Sequence, residues 1–185
     1  MDVGRRSLDL KKMDWAGVAT FLDVIQAGLE SVGIAVDAYE LDHVCYRVAS
    51  LERYKAVKCE LLELRSAVLL SEAQIGGRAI ASFKLKTPIS WRGRSITVIE
   101  VPSPKPGRAY AEGWEHAEFV IAETFAAFAA RHPRAEFDWR GAEKVHNPDL
   151  ALALPSPSGN FAVKFHHQAL EAVIAEETAG PSDYS

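Results

Sequence analysis

The chain has 185 residues, 48% hydrophobic and 25% charged, which is the composition of a folded globular domain and excludes disorder over most of its length. Its formal net charge of −4, with acids and bases interspersed, excludes the basic footprint of a nucleic-acid-binding surface. No apolar run approaches the roughly 18 residues of a membrane-spanning helix, so no membrane partner is expected.

The segment Met1 to Lys12 carries Arg5, Arg6, Lys11 and Lys12 but no apolar stretch after them, and is expected to hold no export signal. Asp14 is placed to cap a helix in which Trp15, Val18, Leu22, Ile25 and Leu29 recur at helical spacing, with Gly33 ending it. Residues 14–36 therefore form a leading amphipathic helix that packs on the main body. The strand-like run Asp42 to Val48 follows, and Ser50 caps a second helix whose stripe is Tyr54, Val57, Leu61 and Leu64. Strands are then predicted at Val68 to Ile75, Arg78 to Lys86 and Arg94 to Val101, with Gly76-Gly77 as a hairpin turn. Residues 42–101 thus read βαβββ.

Residues 102–113 hold three prolines in their first five positions and read as a connector. The order then repeats over residues 114–166: strand Trp114 to Ile121, helix Glu123 to Arg131 stopped by Pro133, and strands at Phe137 to Arg140, Leu150 to Leu154 and Phe161 to His166. A final helix, Gln168 to Glu177, leads into a polar tail within residues 168–185. The fold class is α+β, one domain of two βαβββ modules. Only two cysteines occur, Cys45 and Cys59, too few for a disulfide scaffold and suited to a reducing, cytoplasmic setting.

Each module opens on an acid followed by a histidine, Asp42-His43 and Glu115-His116, the histidines 73 residues apart. Side chains alternate across a strand, so Val44, Tyr46 and Val48 share one face while His43, Cys45 and Arg47 share the other. Ala117, Phe119 and Ile121 likewise oppose His116, Glu118 and Val120, and Phe161, Val163 and Phe165 oppose Ala162, Lys164 and His166. Glu100 ends an otherwise apolar strand face with Ile96 and Val98. A buried carboxylate there is costly unless a cation sits nearby. Two imidazoles and a carboxylate suit Zn, Fe, Mn, Ni or Co as divalent ions and leave positions open for substrate. The same histidines also fit a satisfied structural role, since their spacing matches no short metal motif. By alternation Asp42 and Glu115 point to the opposite face from their histidines, and read as residues that open each strand.

Asp42-His43, Leu69-Leu70-Ser71-Glu72, Gly77-Arg78, Phe83-Lys84-Leu85, Ile99-Glu100-Val101-Pro102, Gly113-Trp114-Glu115-His116 and Val163-Lys164-Phe165-His166 together resemble the YecM-like family, in order from about residue 14 to 177. That family is similar to a branch of the vicinal oxygen chelate superfamily, whose members include glyoxalases, extradiol dioxygenases, epimerases and metal-free binding proteins. The resemblance implies a cupped mixed sheet with helices outside, and ligands from the first and fourth strands of each module. It implies metal ligation by His43, Glu100 and His116, with the last strand offering either Lys164 to orient an anion or His166 as a fourth ligand. Arg47 and Lys164 are then expected to meet a substrate carboxylate or enolate, and Glu118 either to move a proton or to pair with Arg47.

The implied function is a metal-dependent isomerase, lyase or oxidoreductase acting on a small oxygen-chelating molecule, as a monomer or homodimer. The alternative is a module that sequesters a small ligand without turnover. Cys45 reads as a small buried filler, and His132 as a helix-end residue. His146 and His167 read as surface or loop residues, and the scattered Trp15, Trp91, Trp114 and Trp139 as packing.

Overall fold

The computed structural model describes residues 12–63, 67–156 and 159–179. Its elements in chain order are α1 (Gly17–Ser31), β1 (Glu40–Arg47), α2 (Leu51–Glu63), β2 (Val68–Ile75), β3 (Arg78–Trp91), β4 (Arg94–Pro102), β5 (Gly113–Val120), α3 (Phe125–Arg131), β6 (Phe137–Asp138), β7 (Leu150–Ser156), β8 (Gly159–His166) and α4 (Leu170–Ala179). One open eight-stranded sheet runs β2-β3-β4-β1-β5-β8-β7-β6. Each module contributes four neighbouring strands, with β1 parallel to β4 and β5 parallel to β8. The two first strands, β1 and β5, meet antiparallel at the centre. Both histidine-bearing strands are therefore adjacent, as the repeat implies.

The sheet's apolar face builds the core. Val44, Tyr46, Ala117, Phe119, Val163 and Phe165 are buried there beneath Leu22, Ile25 and Leu29 of α1 and Val57 and Leu61 of α2. Asp14 Oδ1 accepts from Gly17 N at 2.9 Å and so starts α1. Past its end, Gly33 turns the chain at φ +82°, a conformation open to glycine. Gly76 and Gly77 supply positive φ at both centres of the β2–β3 turn. Leu64, placed by periodicity on the α2 stripe, lies outside the described residues, as does Met1 to residue 11.

Most boundaries shift by a few residues from the periodicity, and three of the shifts have a visible cause. β3 continues past Lys86 to Trp91, carrying Pro88 through a register shift between Lys84 and Ile89, where no ladder bond is required. β6 stops at Asp138 because that carboxylate accepts from Arg140 N at 3.0 Å, coiling Trp139–Gly141 into a 3-10 turn where a strand is expected. α3 begins at Phe125, since Thr124 Oγ1 caps Ala127 N at 3.2 Å. Helix α4 lies on the concave face, where Leu170, Val173 and Ile174 line the cup. No helix among the described residues is long and apolar enough to cross a membrane.

Candidate metal centre

Two β-bulges shape the middle of the cup. Leu41 pairs with Phe119 and His43 with Glu118, so Asp42 is an extra residue on β1; Cys45 pairs with His116 and Tyr46 with Trp114, so Glu115 is an extra residue on β5. A bulge re-aims a side chain that strict alternation would send to the other face. This corrects the expectation for both acids. Asp42 Oδ2 lies 2.7 Å from His43 Nδ1, and Glu115 Oε2 lies 4.0 Å from His116 Nδ1. Asp42 also accepts from Leu170 N at 3.0 Å, joining the cluster to the first turn of α4.

Glu118 stands at the centre. Its Oε1 is 3.1 Å from His116 Nε2, 3.5 Å from His43 Nε2 and 2.5 Å from Lys164 Nζ, and its Oε2 is 3.8 Å from His166 Nε2. Register explains the convergence, since Glu118 lies opposite His43 on one side and beside Lys164 on the other. Donor atoms of His43, His116 and Glu118 all fall within 4.8 Å of one another, as do those of Asp42, His43 and His166. Glu100 sits beside Cys45 on β1, one alternation step from His43, and its Oε1 reaches within 3.8 Å of His116 Nε2. The carboxylate that faces both first-strand imidazoles is Glu118.

Two ring nitrogens carry the strongest signal. His43 is 1% and His166 0% exposed, and Nε2 of each has no hydrogen-bond partner. Their Nδ1 atoms are committed, His43 to the Asp42 carboxylate and His166 to the Gln168 carbonyl. An Nδ1–H donating to an oxygen leaves a lone pair on Nε2. Buried lone pairs facing a carboxylate are repelled unless a proton or a metal ion stands between them. The residues present fit a divalent ion.

In the metal-free protein a proton takes that place on His43. Burial opposes charge on His43, yet Glu118 and Asp42 outweigh it and push its pKa up to about 10. Burial and the neighbouring Lys164 charge lower His116, keeping it neutral and able to ligate. Burial opposes ionisation of Glu118, but Lys164 and His43 hold it well below the ordinary carboxylate range.

Above these groups opens a cleft of about 640 Å³ whose walls include Ser82, Glu100, Lys164 and Ile174. Arg47 does not line it. Its guanidinium pairs with Glu115 and stacks 5.1 Å from the Tyr110 ring, on a separate cavity beside α1. The Arg47–Glu118 pair expected from alternation is replaced by Arg47–Glu115 and Lys164–Glu118, because the β5 bulge turns Glu115 toward Arg47. Cys45 is buried, and burial together with Glu100 drives its thiol pKa well up, which suits the filler role. His132 Nδ1 meets the Gly33 carbonyl at 3.1 Å and His167 stacks on Phe125. His146, with Lys144, Asn147 and Asp149, rims the cleft. No sequence pattern marks that loop, since its residues carry no periodicity.

Residues 12–177 match the family described as YecM protein. Protein YecM of Escherichia coli K12 is 28% identical over 180 residues, covering 85% of this chain and 88% of that one. A solved structure described as protein EC4020, 23% identical, superposes with a TM-score of 0.67 over 88% of this chain and 90% of its own. A methylmalonyl-CoA epimerase structure, 12% identical, gives a TM-score of 0.48 over 69% of this chain and 95% of its own. The paired βαβββ modules agree with the fold read from the sequence, and the chain belongs to the YecM protein family.

Proposed function

We propose that the protein holds one divalent metal ion at His43, His116 and Glu118, with His166 completing the set, and works as a metal-dependent enzyme on a small molecule that chelates through oxygen. The observation that carries this reading is the pair of buried, unpartnered Nε2 atoms of His43 and His166 facing Glu118. Three imidazoles and one carboxylate suit Zn, Fe, Mn, Ni or Co. When bound, the ion supplies Lewis acidity toward a substrate oxygen.

The chain's own residues divide the remaining work. Asp42 orients His43 through Nδ1, as outer carboxylates orient ligating imidazoles. Lys164, charged and facing the cleft, steadies negative charge developing on the substrate. Glu100 lines the cleft wall with its side chain 16% exposed, and is the carboxylate free to move a proton while Glu118 is engaged. Glu100 and Glu118 thus exchange the roles that strand position alone suggests.

The reaction class is isomerase, lyase or oxidoreductase. Both modules lie in one chain, so a monomer completes its own site; a homodimer does not require shared ligands. An exposed free Cys59 supports a reducing, cytoplasmic setting. Single-turnover assays of metal-loaded protein with α-hydroxy-ketones, catechols and thiohemiacetals test the enzymatic reading. Product formation supports it, whereas tight binding with no product favours a sequestering module.

A further inference from the structure

The cleft is far larger than an ion and its water, and its outer wall is built by β3, whose alternate residues Arg78, Ile80 and Ser82 line it. Among the lining lysines and arginines, Lys144 pairs with Asp149 at 2.8 Å and Lys164 with Glu118 at 2.5 Å. Arg78 forms no ion pair among the described residues. Its one hydrogen bond there runs from Nη1 to the Ser103 carbonyl at 3.3 Å, which anchors the guanidinium and leaves Nε and Nη2 without a protein partner. Elsewhere Arg47, Arg53, Arg92, Arg131 and Arg140 are each matched with a carboxylate. Glu100, Glu118, Asp149 and Glu177 line the same cleft, yet none of them pairs with Arg78; a half-buried guanidinium that faces a cleft with no carboxylate of its own is a receptor for a planar or tetrahedral oxyanion.

The strand register separates this cation from the histidine cluster. Ser82 lies beside Glu100, Glu100 beside Cys45, and Cys45 opposite His116. Arg78 is four residues along β3 from Ser82, about 13 Å at the rise of a strand. Its charge still reaches the buried Cys45. Arg78 and the histidine cluster therefore stand apart along one cleft.

We infer that Arg78 is the anion-recognising residue of the cleft, and that the ligand chelated at the histidine cluster carries a second, distal carboxylate or phosphate held by this guanidinium. The chelating end rests on the metal-centred reading; the Arg78 end does not. Ser82, 5% exposed and lining the cleft beside Glu100, supplies a hydroxyl along the way.

Calorimetry on the metal-loaded full chain with 2-oxobutyrate, 2-oxoglutarate and 2-oxo-4-phosphonobutyrate tests this. At least one probe with a distal anion is expected to bind about tenfold or more tightly than 2-oxobutyrate, and Arg78→Gln is expected to abolish that preference while leaving bound metal and 2-oxobutyrate affinity unchanged. The order of the two distal-anion probes distinguishes carboxylate from phosphate. Equal affinity for all three, including no measurable binding, overturns the inference, as does a preference that survives Arg78→Gln. Failure of the metal-centred reading registers separately, as absence of bound metal. Butyrate and glutarate compared on the metal-free wild type and Arg78→Gln then decide the Arg78 half by the same criterion.

Discussion

Lys164 Nζ lies 2.5 Å from Glu118 Oε1, the same oxygen that stands 3.1 Å from His116 Nε2. Burial disfavours its charge, but Glu118 and Glu100 more than compensate and raise its pKa well above the usual lysine range. A permanent ammonium therefore contests the place a metal ion would take beside Glu118.

Removing that ammonium should help metal and harm chemistry. Lys164→Met is expected to raise metal affinity about tenfold, corresponding to about 1.4 kcal/mol of relieved repulsion, and to lower turnover. Competition against a chromophoric chelator measures the first effect. Weaker metal binding in this variant would make Lys164 a supporting residue and not a competitor.

The two cup carboxylates should separate by phenotype. Glu118→Gln removes the oxygen shared by His43 and His116 and is expected to cost most of the bound metal. Glu100→Gln should keep its metal and lose turnover. Metal content and single-turnover rate on both variants check the assignment, and the reversed pattern would return Glu100 to the ligand set.

Asp42 couples the centre to α4 through His43 Nδ1 and Leu170 N. Asp42→Asn should weaken metal binding about 10–100-fold, the usual cost of losing a carboxylate behind a ligating imidazole. It should also speed amide exchange in the first turn of α4. Unchanged exchange there would remove the coupling.

Stability of the metal-free protein should depend on pH through His43. Its folded pKa is raised from 6.5 to about 10, so the folded state holds the proton more tightly. The stabilisation is complete below about 6.5 and is lost as pH rises through about 10, with a limiting slope of about 1.4 kcal/mol per pH unit. Urea unfolding across that window is expected to show declining stability in the wild type and a clearly shallower decline in His43→Gln. Metal should invert the trend, because ligation requires the deprotonated ring.

The paired modules and the concave placement of His43, Glu100, His116, Lys164 and His166 are legible because strand alternation and helix spacing are periodic. Two bulges defeated that periodicity. An inserted residue leaves no mark on an apolar/polar pattern, so alternation alone puts Asp42 and Glu115 on the wrong face and Arg47 with the wrong partner. Glu118 was legible as a cup residue, but its central position depends on which residue of β1 it opposes, and register is a tertiary fact. The unmatched state of Arg78 likewise emerges only when the partners of the other cleft-lining cations, Lys144 and Lys164, are known.

The central claim is a metal ion held by the histidine cluster. Elemental analysis of protein purified without chelators, wild type against a folded His43→Ala, His116→Ala double variant, tests it most directly. Stoichiometric divalent metal in the wild type and only traces in the variant is the predicted result. Equal trace metal in both would contradict it.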